Sequence, residues 1–186
     1  MKRLFIAVKI DESEKIVSMV TGLRSKLEGE RISWVNSADM HITLAFLGNT
    51  RNDKVSLIEQ IINEATAQVK PFEVELTGVS LFSKRGDPRV IYFKTAGCPE
   101  LENLRSRLVK LLNSADLFSD SKAFKPHSSV GRIKKVTDRE LIRKSVAAYS
   151  DTFIQKQQVN TIFLYESILT QSGPVYKVIK EVVLNR

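Results

Sequence analysis

Met40-His41-Ile42-Thr43-Leu44 and Pro126-His127-Ser128-Ser129-Val130 hold the only two histidines of the 186-residue chain, each followed two positions later by a small hydroxyl residue. In a β-strand successive side chains point to opposite faces, so His41 and Thr43 share one face while Ile42 and Leu44 enter a core. The same rule puts His127 and Ser129 together. Two imidazoles and two hydroxyls presented alike from two strands line one groove. They offer an acid, a base and two hydrogen-bond donors for a phosphate.

The two stretches lie 86 residues apart, and sliding the chain against itself by that distance aligns more than the histidines. Arg3-Leu4-Phe5-Ile6-Ala7 falls on Arg89-Val90-Ile91-Tyr92-Phe93, and the helical pattern of Asp11 to Leu27 falls on that near Glu100 to Asn113. The turn at Gly86 falls within one residue of Gly173. Together these matches suggest a duplicated unit of strand, helix, histidine strand, helix and hairpin, whose copies bring His41 and His127 face to face about a pseudo-two-fold axis.

The remaining elements follow from periodicity. Helices are expected over Asp53 to Val69 and from about Asp138 to Tyr149, and Ile32 to Val35 reads as extended. Alternation from Phe72 to Phe82, a turn at Lys84-Arg85-Gly86-Asp87-Pro88 and Val90 to Phe93 make a hairpin. Two closing strands, Val159 to Leu169 and Val175 to Leu184, are joined by Gln171-Ser172-Gly173-Pro174.

Composition narrows the classes. The chain is 42% hydrophobic and 27% charged, as in an ordinary globular protein, and no segment approaches the roughly 20 apolar residues of a membrane span. The basic, apolar opening is cut short by Lys9 and no cleavage site follows, so it reads as a buried strand of a cytoplasmic protein. The one cysteine, Cys98, excludes an internal disulfide, and with two histidines it has no recognised metal-ligand spacing. No metal and no cofactor is expected. The net charge of +8 favours a polyanion as partner.

These motifs in this order resemble the two-histidine (2H) phosphoesterases, in the branch of RNA 2′,3′-cyclic phosphodiesterases formerly called 2′-5′ RNA ligases. The likeness rests on Arg3-Leu4-Phe5-Ile6-Ala7-Val8, Trp34-Val35, Met40 to Gly48, Pro88-Arg89-Val90, Phe124-Lys125-Pro126-His127-Ser128-Ser129 with Arg132, and Ser172-Gly173-Pro174-Val175-Tyr176. It covers nearly the whole chain. The resemblance implies an α+β, bilobal duplicated fold over residues 1–186: a single domain of two intertwined lobes, with two antiparallel sheets facing across a central groove and helices outside. The second motif departs from the family, which prefers Thr at Ser129 and an apolar residue at Ser128. Ser129 keeps the hydroxyl but loses the β-branch that stiffens χ1. Ser128 is expected to point to the core and to hydrogen-bond to backbone, because an unpaired buried hydroxyl costs about 1–3 kcal/mol.

The activity implied is metal-independent hydrolysis of RNA 2′,3′-cyclic phosphate ends, or of cyclic nucleotides, to a 2′-phosphate by a monomer. The family roles make His41 the proton donor and His127 the proton acceptor; spacing alone leaves the two equivalent. Thr43 and Ser129 donate hydrogen bonds to the non-bridging oxygens. Run backwards, the same site is a weak 2′-5′ RNA ligase. Arg132 is a phosphate clamp by resemblance, but strict alternation from His127 turns it to the wrong face unless the strand bulges or ends at Gly131. Lys122, Lys125, Arg132, Lys134 and Lys135 form a basic cluster for the polyanion. Trp34, Phe46 and Tyr176, with Phe82 and Tyr92 as further candidates, stack a terminal base; Phe46 and Phe82 are also candidates for simple packing. Two other readings stay open: a 2H phosphodiesterase for another cyclic or 2′-5′-linked nucleotide, and a non-catalytic RNA-end-binding module.

Overall fold

The computed structural model describes residues 1–118, 123–171 and 173–185. Its strands are β1 (Lys2–Lys9), β2 (Arg31–Trp34), β3 (His41–Thr50), β4 (Phe72–Lys84), β5 (Asp87–Thr95), β6 (His127–Lys135), β7 (Phe153–Val159), β8 (Thr161–Thr170) and β9 (Gly173–Val183). The helices are α1 (Glu14–Lys26), α2 (Val55–Thr66), α3 (Pro99–Ser114) and α4 (Arg139–Ala147). Local chemistry sets their starts. The Ser13 hydroxyl accepts from the Ile16 amide at 3.3 Å, Asp138 accepts from the Leu141 amide at 2.9 Å, and Pro99 opens α3 where its missing N–H costs nothing.

The strands run β7-β4-β5-β6-β3-β1-β8-β9, all antiparallel, with β2 pairing β6. The two sheets anticipated from sequence are the halves of this order, β7-β4-β5-β6 and β3-β1-β8-β9. They join only through Ile42 opposite Ser128, so the hydrogen bonding makes one nine-stranded sheet. Each half contains at least one strand from the other repeat. β4 follows β1, α1, β3 and α2 in the chain yet pairs with β5, while β8 returns from the second repeat to pair with β1. Strand β7 was not anticipated from sequence; its Gln155-Lys156-Gln157-Gln158 run breaks the apolar alternation because β7 lies at the edge of the order.

Helices and sheet share one core, in which Ile16, Leu23, Ile58, Ile62, Leu104, Leu108 and Ile142 meet Leu4, Ile6, Ile42, Leu76, Ile91 and Leu164. The other face carries a small separate cluster of Phe5, Ala7 and Tyr165, with Phe163 and Tyr176 packed against it. No helix among the described residues is long and apolar enough to cross a membrane.

Ser128 corrects one expectation. It is fully buried, as anticipated, but among the described residues its Oγ has no hydrogen-bond partner; its ladder neighbours Ile42 and Phe93 have apolar side chains. Deleting an unpaired buried hydroxyl removes a desolvation penalty. Ser128→Ala is expected to stabilise the fold by about 1 kcal/mol in denaturant unfolding; a loss of stability would show that the hydroxyl is satisfied in solution.

Candidate active site

Each histidine enters its strand from a short lead-in that fixes its ring. The turn Ser37–Asp39 is held by the Asn36 side chain, which accepts from the Ala38 amide at 3.4 Å, and it presents the Asp39 carbonyl to His41 Nδ1 at 2.8 Å. Lys125 does the same for His127, its carbonyl standing 2.7 Å from Nδ1. A carbonyl only accepts, so in both rings Nδ1 carries the proton and Nε2 is left for other chemistry.

The bridge Ile42 to Ser128 sets the histidines on neighbouring strands. Both of its members are fully buried on the core face, so His41, Thr43, His127 and Ser129 all look to the opposite face. The pairing goes no further than this bridge; His41 and His127 each stand one position before its two members, near enough that a proton on His127 opposes one on His41.

Past the hydroxyl residue both strands break alternation at the same place. On β3 Thr43 faces Ala7 and Ala45 faces Ile6, leaving Leu44 as an extra residue. On β6 Ser129 faces Tyr92 and Gly131 faces Ile91, leaving Val130 as the extra one. The bulges are 86 positions apart, and residues 41–46 and 127–132 follow one pattern: half-buried, buried, half-buried, buried, buried, exposed. Each bulge resets the phase, so Phe46 and Arg132 turn to the histidine face. This is the bulge that Arg132 required. At Gly131 an added Cβ would stand 2.9 Å from Ile32 Cγ2 and 3.1 Å from Trp34 Cε3, so glycine lets β2 bring Trp34 close.

A groove of about 610 Å³ on this face is lined by His41, Thr43, Arg132, Trp34, Phe46 and Tyr176 among others. His127 and Ser129 adjoin it from β6 and are not part of that lining. Phe46 is 47% exposed, with the Arg3 guanidinium 5.1 Å from its ring centre. Tyr176 meets the His41 ring edge-on at 5.2 Å and Phe5 lies against it at 4.9 Å. Around His127 the corresponding walls are Phe82, edge-on at 4.8 Å, and Tyr92 at 5.3 Å. Tyr92 is fully buried and stacked on Phe82 at 4.1 Å, so it supports His127 and has no face left for a base.

Burial in these aromatic surrounds pulls both imidazoles below the ordinary histidine value, against the opposing pull of the carbonyl bonds at Nδ1. Burial also pushes the Tyr165 hydroxyl up to about 12, so it stays protonated beside His41. Of the basic cluster, Arg132 and Lys134 line the groove, Lys125 stands over Phe82 and Tyr92 at 5.3 Å from each, and Lys122 lies outside the described residues, as does Ser172. Sequence reasoning passed over Phe5, Arg3 and Asp39 as site residues. The available signal for Phe5 was the unbroken apolar run Leu4 to Val8, which implies a strand covered on both faces.

Residues 8–92 match the LigT-like phosphoesterase family. A protein of Archaeoglobus fulgidus named RNA 2′,3′-cyclic phosphodiesterase is 34% identical over 178 residues, covering 94% of this chain and 96% of its own. The chain belongs to the LigT-like phosphoesterase family. It is therefore an enzyme, a hydrolase of the two-histidine phosphoesterase group. Among solved structures, the Thermus thermophilus protein TT0787 superposes on this phosphoesterase with a TM-score of 0.77 at 27% identity, covering 98% of this chain and 97% of that one. Escherichia coli LigT, complexed with 3′-AMP, has the same fold at TM-score 0.76 and 22% identity, covering 100% and 99%.

Proposed function

We propose that this phosphoesterase hydrolyses 2′,3′-cyclic phosphate ends of RNA to 2′-phosphates without a metal, residues 1–186 acting as one domain of two interlocked lobes. The observation that carries the reading is the pair of histidines on one sheet face, each with Nδ1 tied to a carbonyl so that Nε2 is the nitrogen left for chemistry. The name borne by the Archaeoglobus fulgidus relative agrees with it.

In the proposed reaction His127 Nε2 takes a proton from water as its oxygen attacks phosphorus. The bond from phosphorus to the 3′-oxygen breaks, and His41 delivers a proton to that oxygen. Thr43 and Ser129 donate to the non-bridging oxygens, and Arg132 adds the positive charge that the pentacoordinate state calls for. Trp34, Phe46 and Tyr176, which line the groove, receive the terminal base. The same site traversed backwards joins a cyclic phosphate to a 5′-hydroxyl in a 2′-5′ linkage, and in dilute solution water outcompetes the hydroxyl.

The test is turnover of a 2′,3′-cyclic mononucleotide in EDTA beside 2′-5′-linked dinucleotides. Hydrolysis of the cyclic substrate to a 2′-phosphate is expected; exclusive cleavage of the dinucleotides, or binding without turnover, would replace this reading by another. Arg132→Met is expected to lower kcat/KM about 10²-fold. A change below about threefold would remove Arg132 from the phosphate.

A further inference from the structure

The pseudo-two-fold axis makes the two histidines near equivalents, yet the reaction needs one protonated and one neutral. Resting on the phosphodiesterase reading, we propose that Asp39 and Lys125 are the positioning residues that break this symmetry, so that His41 gives a proton and His127 takes one.

The two residues occupy the same place in the two repeats, 86 positions apart, each two residues before a histidine whose Nδ1 its carbonyl holds. The backbone part of the motif is therefore shared, and only the side chains differ. One is a carboxylate and the other an ammonium. Asp39 lines the groove beside His41. The Lys125 Nζ stands 5.3 Å from the centres of Phe82 and Tyr92, the two rings that wall His127.

Burial, the largest pull on both rings, works against the proposed order, because His41 is set deeper than His127. Each histidine has a lysine across its outer ladder, Lys9 opposite His41 and Lys94 opposite His127, and Lys94 reaches to Asp151 at 3.9 Å. Arg132 from β6 opposes a proton on both rings. His127 opposes one on His41. Tyr165 and Tyr176, from β8 and β9, are protonated neighbours of His41, and Tyr92 from β5 is a ring neighbour of His127. Arg3 from β1 lines the groove beyond Tyr176. Against burial and the charge of His127 stands the pair of opposite sign. The Asp39 carboxylate favours the charged form of His41, and the Lys125 ammonium disfavours that of His127.

Because the chain has only two histidines, imidazole NMR yields two titration curves, assigned with His41→Asn. His41 is expected to titrate above His127. Asp39→Asn should lower the His41 midpoint by on the order of half a unit to one unit and leave His127 in place; Lys125→Met should raise that of His127 by a similar amount and leave His41. In the pH dependence of kcat/KM the first substitution draws in the alkaline limb and the second the acid limb, while Asp39→Glu and Lys125→Arg restore the original curve. Curves that stay put, move together, or start in the reverse order overturn the assignment. Shifts as expected with no turnover of cyclic phosphate by the unsubstituted enzyme overturn instead the phosphodiesterase reading on which the two roles rest.

Discussion

His127→Ala is expected to lower kcat/KM for a 2′,3′-cyclic mononucleotide by about 10²–10⁴-fold, the span that a positioned acid or base contributes. In the proposed reaction the loss falls on kcat, because the imidazole acts on the attacking water and Arg132 still holds the phosphate. His41→Ala is expected to fall in the same range. The double variant should fall little further than the worse single, since an acid and a base that act on one phosphorus work as a unit. Thermal unfolding separates chemistry from folding. His127 is half-buried between Phe82 and Tyr92, so its truncation loosens a wall and still leaves the core cluster whole. Retention of more than about a tenth of the activity by either single variant would sink two-histidine catalysis here.

The largest effect on stability is expected at Gly78. This residue sits in β4 at φ +58°, and a Cβ added there would lie 1.9 Å from the Ser150 carbonyl oxygen, 2.6 Å from its carbon and 2.9 Å from Lys94 Cε. The closeness has a purpose. The Gly78 amide donates to the Thr152 carbonyl at 2.7 Å and the Val79 amide to that of Tyr149 at 2.9 Å, so β4 is docked on the turn that leaves α4. Backbone cannot withdraw as a flexible side chain can, so Gly78→Ala must tear this docking or distort β4. A loss of about 3 kcal/mol or more is expected, read as a fall in Tm of roughly 6–12 °C. Gly86→Ala is the control, since Gly86 has φ +83° but nothing within 4 Å of the added carbon, and it should cost only about 1–2 kcal/mol. Equal losses at the two sites would show that dihedral strain, and not the contact with Ser150, decides. Because β4 carries Phe82 to His127, any change in kcat for the folded fraction of Gly78→Ala reports how far the distortion travels along the strand.

Much of this site was legible in the sequence because β-strands alternate. That rule alone put His41 with Thr43 and His127 with Ser129, and the 86-residue offset foretold the pairing of two repeats. It failed at Leu44 and Val130, where two consecutive residues are buried, and no residue in Leu44-Ala45 announces a bulge. A bulge is a property of two strands whose residue counts disagree, so neither strand encodes it by itself. The reach of Phe46 and Arg132 into the groove was decided at that level. So was the missing partner of Ser128, which depends on Ile42 and Phe93 arriving from other strands.

The sequence by itself determined the chemical inventory and its spacing: two imidazoles, each with a hydroxyl on its own face, and opposite charges at Asp39 and Lys125. Tertiary structure alone decided which of these groups meet. The contact of the two repeats through Ile42 and Ser128, the exchange of β4 and β8 between them, and the aromatic walls around each ring all join residues remote in the chain. Local rules set which way a side chain points from its own strand, whereas distance between strands is set by the packing of the whole core, a sum over contacts that no single segment contains.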